Sequence, residues 1–318
     1  MMGLVEEVRA AAARAKREDE GEVPEPWLEA ERRAWPGVDG PLVVTARGLD
    51  EFLERTASVD VPRGERLRKL AIALESELFE DGWDGLQRIY EAAAREDPED
   101  PRIFESWGIS STQCRAWDDG SLEEQRAIFA DGERAFTRAA ALDPDDPDIH
   151  CHMGLHQYHY PKSDRASPEH ADRALPWFAR ALAIDPHHPM ARLYQAHCLH
   201  DKKEWRAAVD AYSAVDQARL LEERPHQAWR VVKLEEQIAS CLARAGDLAE
   251  AKRRFLALIA ELSRLTDDEI RDEAVNLWDL EEAVKTTLRD DPTLAEAAER
   301  VARRVYFKYP GGDEPEQD

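Results

Sequence analysis

Apolar and polar positions alternate with a helical period along almost the whole chain. In "RLRKLAIALESELF" (66–79) and "DGLQRIYEAAARE" (84–96) the apolar residues fall three and four apart, which lines one face of an α-helix. Ala, Leu, Arg and Glu dominate and β-branched residues are sparse, so intrinsic propensity favours helix throughout. Only "PLVVTA" (41–46) has strand character, and an all-α fold is expected. Three segments then repeat one another: "IYEAAAREDPEDP" (89–101), "AFTRAAALDPDDP" (135–147) and "WFARALAIDPHHP" (177–189) align without a gap. In each, an aromatic (Tyr90, Phe136, Phe178) precedes an Ala (Ala93, Ala139, Ala181) by three residues and a Pro (Pro98, Pro144, Pro186) by eight. Aromatic and Ala share one helix face, and the proline ends the helix.

The residues after each proline extend the pattern. "FESWGIS" supplies Phe104, Trp107 and Gly108, and "HCHMG" supplies His150, Met153 and Gly154 at the same spacing. Ala196, Ala208 and Tyr212 continue the register, as do Ala239, Gly246, Ala251 and Phe255. These residues resemble the tetratricopeptide repeat (TPR) family, whose 34-residue unit reads W-x2-L-G-x2-Y, then A-x3-F, then P. Phe178 and Tyr212 are 34 residues apart, while the intervals Tyr90–Phe136, Phe136–Phe178 and Tyr212–Phe255 are 46, 42 and 43, so three units carry insertions. The resemblance implies a right-handed superhelical solenoid of αα-hairpins: five hairpins over 66–263, four of them with diagnostic residues. Helical caps stand at both ends, an N-terminal capping segment over 1–65 and closing helices over 264–310, and 311–318 is a polar tail.

Smaller signals place helix ends. Ser121 with Glu124 three residues on forms a capping box for a lengthened second helix, and Ser167 with Pro168 reads as an N-cap and first helical position. Pro176 falls inside that helix. In the closing helices Trp278, Leu280, Val301 and Val305 supply apolar surface. The N-terminal stretch, with Leu4, Val5, Val8, Trp27 and Trp35, either caps the array or occupies its groove.

Charge narrows the classes of partner. Against 43 basic residues stand 67 acidic ones, a formal charge of −24, which disfavours nucleic acid and anionic membrane surfaces. Neither a secretory signal nor a membrane-length apolar run is present, and four scattered cysteines without a CxxC pair read as reduced packing thiols; a cytoplasmic location is expected. G-x-S-x-G, a phosphate loop, G-x-G-x-x-G and a zinc-protease helix are all missing, so no cofactor and no catalytic activity are expected.

Four of the ten histidines crowd into "IHCHMGLHQYHY" (149–160). His150 takes a core position of the repeat. His152, His156 and His159, four and three apart, form one stripe, which as imidazole ligands constitutes the alternative reading, a metal site. The stripe holds no carboxylate, and an open groove offers little outer-sphere support. His187 and His188 read as turn residues, and Trp107, Trp177, Trp205 and Trp229 as packing.

The leading expectation is a non-catalytic scaffold that binds a peptide or helix of another protein, basic or amphipathic, in a concave groove. Family register nominates Cys151, Leu155, Tyr158 and His159 in one unit, Leu193, His197 and His200 in the next, and Lys233, Glu236 and Arg244 in a later one. The Lys–Arg–Asn clamp by which some family members hold chaperone tails is absent, since Asn276, outside the repeats, is the chain's one asparagine.

Overall fold

The computed structural model describes residues 4–21, 25–35, 43–75, 78, 83–117, 120–161, 167–264 and 277–306. Sixteen α-helices occupy them, with no strand among the described residues. They fall into two compact units: Glu22–Cys198, and Met1–Gly21 together with Leu199–Asp318.

In the first unit, α2 (Pro26–Ala34) and α3 (Ala46–Arg55) precede three hairpins: α4 (Arg63–Ala73) with α5 (Trp83–Glu96), α6 (Pro101–Trp117) with α7 (Leu122–Leu142), and α8 (Pro147–Tyr158) with α9 (Glu169–Ile184). The helices α5, α7 and α9 stop just before Pro98, Pro144 and Pro186, and the next helix starts at the following proline of each Asp-Pro turn. First helices α4, α6 and α8 pack on one another in order, as stacked repeats require.

One contact sets the spacing within hairpins. A Cβ added at Gly108 would lie 2.5 Å from the Phe136 ring, and one at Gly154 would lie 2.5 Å from Phe178. Both aromatics are buried to 1% exposure or less. Ring against bare backbone brings the two helices of a hairpin together, and Ala139 and Ala181, fully buried, let the next layer approach.

The N-terminal segment divides. Trp27 and Trp35 pack on Phe52 with ring centroids 6.4 and 6.3 Å apart, and α2 and α3 lie against α4 and α5, closing the first hairpin. The buried Arg66 guanidinium donates to the carbonyls of Leu53 and Thr56 and to Thr56 Oγ1, satisfying the C-terminal end of α3. By contrast α1 (Leu4–Gly21) belongs to the other unit: Val8 and Ala11 are buried, and Arg14 donates to the Leu221 carbonyl at 3.3 Å. Of the strand expected at 41–46, residues 41 and 42 lie outside what the structure describes, and the described remainder holds no strand. Val43 to Thr45 lead directly into α3, whose N-cap is Thr45, with Oγ1 accepting the Gly48 N–H at 3.0 Å.

α10 (Pro189–Asp201) carries the chain into the second unit. There α11 (Trp205–Ser213), α12 (Gln217–Glu223) and a 3-10 turn (Pro225–Gln227) precede the hairpin α13 (Trp229–Arg244) with α14 (Leu248–Leu262), closed by α15 (Trp278–Lys285) and α16 (Pro292–Tyr306). The insertion that lengthens the Tyr212–Phe255 interval is therefore α12 with its short turn. The capping box at Ser121 and Glu124 forms as expected, whereas α9 starts at Glu169, one residue after the anticipated Pro168. Leu280 and Val301 are buried in the closing helices, whereas Trp278 is 66% exposed, so its apolar surface faces solvent. The Val305 side chain and the tail 311–318 lie outside what the structure describes.

Two turns share a register position. The Glu204 N–H reaches the Leu199 carbonyl at 2.9 Å across Lys203, whose φ is 62°, and the Asp247 N–H reaches the Leu242 carbonyl at 2.9 Å across Gly246, whose φ is 88°. Glycine holds that left-handed conformation without strain; lysine does not. Lys203→Gly should therefore stabilise the protein by about 0.5–1 kcal/mol, read as a higher urea midpoint at unchanged slope. Gly154→Ala, forcing Phe178 aside, should destabilise it by about 1–3 kcal/mol in the same assay.

Candidate functional site

The register positions nominated from sequence separate into two clusters, one in each unit. In the first, the end of α8, the start of α9 and the middle of α10 bring five rings together. Tyr158 lies 4.9 Å from His170, 5.5 Å from Tyr194 and 6.5 Å from His197, ring centre to ring centre, and Tyr194 lies 5.1 Å from His197. His159, exposed at the C-cap of α8, stands edge-on to Tyr158 at 5.7 Å. Tyr194 also stacks on the buried Phe178 at 6.0 Å, so the cluster is anchored to the ring that sets its hairpin's spacing. Tyr158, His170, Tyr194 and His197 are half-buried.

Not every nominated position reaches this surface. Leu155 is half-buried beside it, but Cys151 and Leu193 are only 1% and 2% exposed and serve the core. Two contributors, His170 and Tyr194, were missed by register reasoning: His170 lies in the inserted start of α9, and Tyr194 is one residue past the nominated Leu193.

The histidine stripe does not assemble as a ligand set. His156 is fully buried and stacks on Phe129 at 4.1 Å. Its Nε2 lies 2.9 Å from the Phe129 carbonyl, which can only accept, so that nitrogen carries the proton; its Nδ1 meets the Thr112 hydroxyl at 2.7 Å. Both nitrogens are thereby engaged. His152 Nδ1 is 2.8 Å from Glu105 Oε1 instead of facing a shared ion. Among the described residues no group of three or more His, Cys, Asp or Glu side chains could hold a metal.

Other polar side chains prove structural where sequence said little. His188 caps α10: its Nδ1 accepts the Ala191 N–H at 3.2 Å, and its Nε2 lies 3.2 Å from Asp148 Oδ1, so it is more than a turn residue. His150 is buried as expected, with Nε2 2.8 Å from the Pro144 carbonyl. Asp131, 6% exposed, accepts the indole N–H groups of Trp83 and Trp107 at 3.0 Å each and the Arg134 guanidinium at 2.7 Å. An acid three residues after Ile128 on the face that also carries Ala135 and Phe136 was its signal in the sequence.

The second cluster holds His200, Lys233, Glu236 and Arg244. Glu236 is fully buried. Its Oε2 receives Lys233 Nζ at 2.5 Å, and its Oε1 receives the Leu280 backbone N–H of α15 at 2.9 Å. Lys233 Nζ also reaches Asp279 Oδ2 at 2.8 Å. His200 packs its ring 5.3 Å from Trp205, while Arg244, exposed, lies over the same indole at 5.1 Å. Lys233 and Glu236 thus face the chain's own C-terminal segment.

Burial pushes the Glu236 carboxyl up to about 7, with Asp279 adding to the rise and Lys233 opposing it. Burial lowers His200, with Arg244 and Lys233 helping and Asp279 and Asp201 resisting. For Lys233 burial works downward, yet Glu236 and Asp279 outweigh it and hold the ammonium above its ordinary value. Burial raises Cys241 to about 12, with Asp279 contributing, so this thiol is unreactive. All four cysteines are buried.

Neither a family model nor a curated protein sequence matches this chain. Among solved structures it is similar to one titled "Crystal structure of YrrB: a TPR protein with an unusual peptide-binding site", at 14% identity over 79% of this chain and 97% of that one, with a TM-score of 0.41. At so low a likeness the hairpin architecture rests on this chain's own packing. No helix among the described residues is long and apolar enough to cross a membrane.

The raised carboxyl and the lowered imidazole pull stability in opposite directions. Glu236 binds its proton more tightly folded than unfolded, so its contribution declines as pH rises from about 4.5 towards 7; His200, depressed below 6.5, contributes stability that is lost as pH falls below that value. Glu236→Gln should remove the first slope. Wild type should lose stability relative to this variant between pH 5 and 7, by at most about 1.4 kcal/mol per pH unit, in urea midpoints taken at pH 5, 6 and 7. Parallel curves would show that Glu236 does not titrate there.

Proposed function

We propose that this protein is a non-catalytic scaffold of the TPR type that binds a peptide or short helix of a partner protein on the ring-lined face formed by α8, α9 and α10. The observation that carries the reading is the convergence of Tyr158, His159, His170, Tyr194 and His197 from three successive helices into one half-exposed patch. Aromatic and imidazole rings offer large amphipathic contact area at small entropic cost, which suits recognition of an extended or helical segment. Stacked hairpins supply the rigid frame, since α8 and α9 are locked by Gly154 against Phe178 and α10 is capped by His188.

Chemistry favours a basic or amphipathic partner. The chain's charge of −24 attracts cations at long range, and tyrosine faces hold them at short range. The metal-dependent alternative loses its central ligand, because both His156 nitrogens are engaged.

Selection of a displayed random-peptide library on the purified protein tests this. Enriched peptides should carry Lys or Arg beside apolar residues, and Tyr158→Ala combined with His197→Ala should weaken their binding at least tenfold while leaving the melting curve nearly in place, because both side chains are only half-buried. Peptides that bind the double variant as tightly as wild type would place the binding surface elsewhere.

A further inference from the structure

The last hairpin holds the start of the helix that follows it. Along α13, Lys233 and Glu236 lie one turn apart and face the first turn of α15. That turn lacks a cap of its own: its N-cap residue is Leu277, whose side chain has no acceptor. Glu236 supplies the acceptor from outside by taking the Leu280 N–H at 2.9 Å, and Lys233 takes the Asp279 carboxylate at 2.8 Å while neutralising Glu236. Leu277 and Leu280, each 1% exposed, close the contact on both sides of Asp279.

Three features are read at once: an open N–H in the first turn of a helix, a carboxylate one residue before it, and apolar residues flanking that carboxylate. All three belong to four consecutive residues. Of the three ionisable groups only Glu236 is fully buried, Lys233 and Asp279 being 17% and 19% exposed; such a triad is a poor way to glue down a permanent cap, because apolar replacements of similar volume hold as well or better, and its merit is choice of ligand. Trp278, in the middle of the turn and the largest side chain available to a cap, points its surface to solvent at 66% exposure.

We propose that the Lys233–Glu236 face of α13 is a receptor for the first turn of a helix with the pattern apolar–x–acidic–apolar, filled in this structure by the chain's own Leu277–Leu280 and taken by the matching turn of a partner protein when that segment lifts away. The site does not depend on the ring-lined face, and the variants that probe one leave the other's side chains unchanged.

The probe is a fluorescein-labelled synthetic peptide of residues 277–306, titrated against the full chain. In wild type the resident turn competes, and binding is weak. Asp279→Lys in the full chain sets an ammonium against Lys233 and should release the turn: hydrogen exchange across 277–288 accelerates, and the peptide binds at least tenfold more tightly. Adding Lys233→Glu should return the turn to its seat, slow that exchange and abolish the gain. Unchanged exchange in the Asp279→Lys chain, or release without any gain in peptide binding, would overturn the proposal. So would a melting transition in which α13 and α14 unfold together with α15, since the segment would then be an integral part of the fold.

Discussion

A helix pair of this kind has an apolar face it cannot cover by itself, and the structure depends on how closely its two helices can approach. Gly108 and Gly154 settle that distance by admitting Phe136 and Phe178 against bare backbone. Once the helices of a hairpin are fixed at contact, the alanines one turn further along determine how near the next hairpin can come. Side chains at the remaining positions of the first helix are then committed either to the next layer or to the free surface. Tyr158 and His197 reach the surface for this reason, while Cys151 and Leu193, earlier on their helices, are enclosed.

Against this apolar background the buried polar groups specify which layer meets which. Asp131 ties α5, α6 and α7 through two indoles, His156 ties α8 to α6 and α7, and Glu236 ties α13 to α15. Each is supplied with partners, so none carries the full cost of a desolvated charge or dipole left unpaired. Two of them also remove a chemistry that their residue types offered. His156 is withdrawn from any metal by a carbonyl and a hydroxyl, and Glu236 is withdrawn from solvent by the chain's own helix start.

The hairpins were legible because their signals are local. Aromatic, alanine and proline at fixed spacing report helix face and helix end within a dozen residues, and the capping box at Ser121 is read from a few neighbours. The features that stayed obscure depend on contacts between distant residues. The unit boundary within α10, the assignment of α1 to the hairpins of the C-terminal half, and the insertion of Asp279 between Lys233 and its solvent involve separations that periodicity does not report. His170 escaped for a related reason: it lies in an insertion, where family register has no position for it. The misreading of 41–46 as strand-like is of another kind. Val43 and Val44 have the propensity, but among the described residues no strand stands beside them, and the Val44 carbonyl accepts the Arg88 guanidinium at 2.9 Å instead.

The two clusters are built from different physics, and this bears on what each could hold. The ring-lined patch presents polarisable faces and weak donors, so its grip on a ligand would come from area and shape and would tolerate variation in sequence. The Lys233–Glu236 pair presents an ammonium and a buried carboxyl, where a missing partner leaves a desolvated polar group unpaired; a ligand lacking the acidic residue or the open N–H is penalised by more than the lost contact. One surface is suited to a range of segments and the other to a single short pattern.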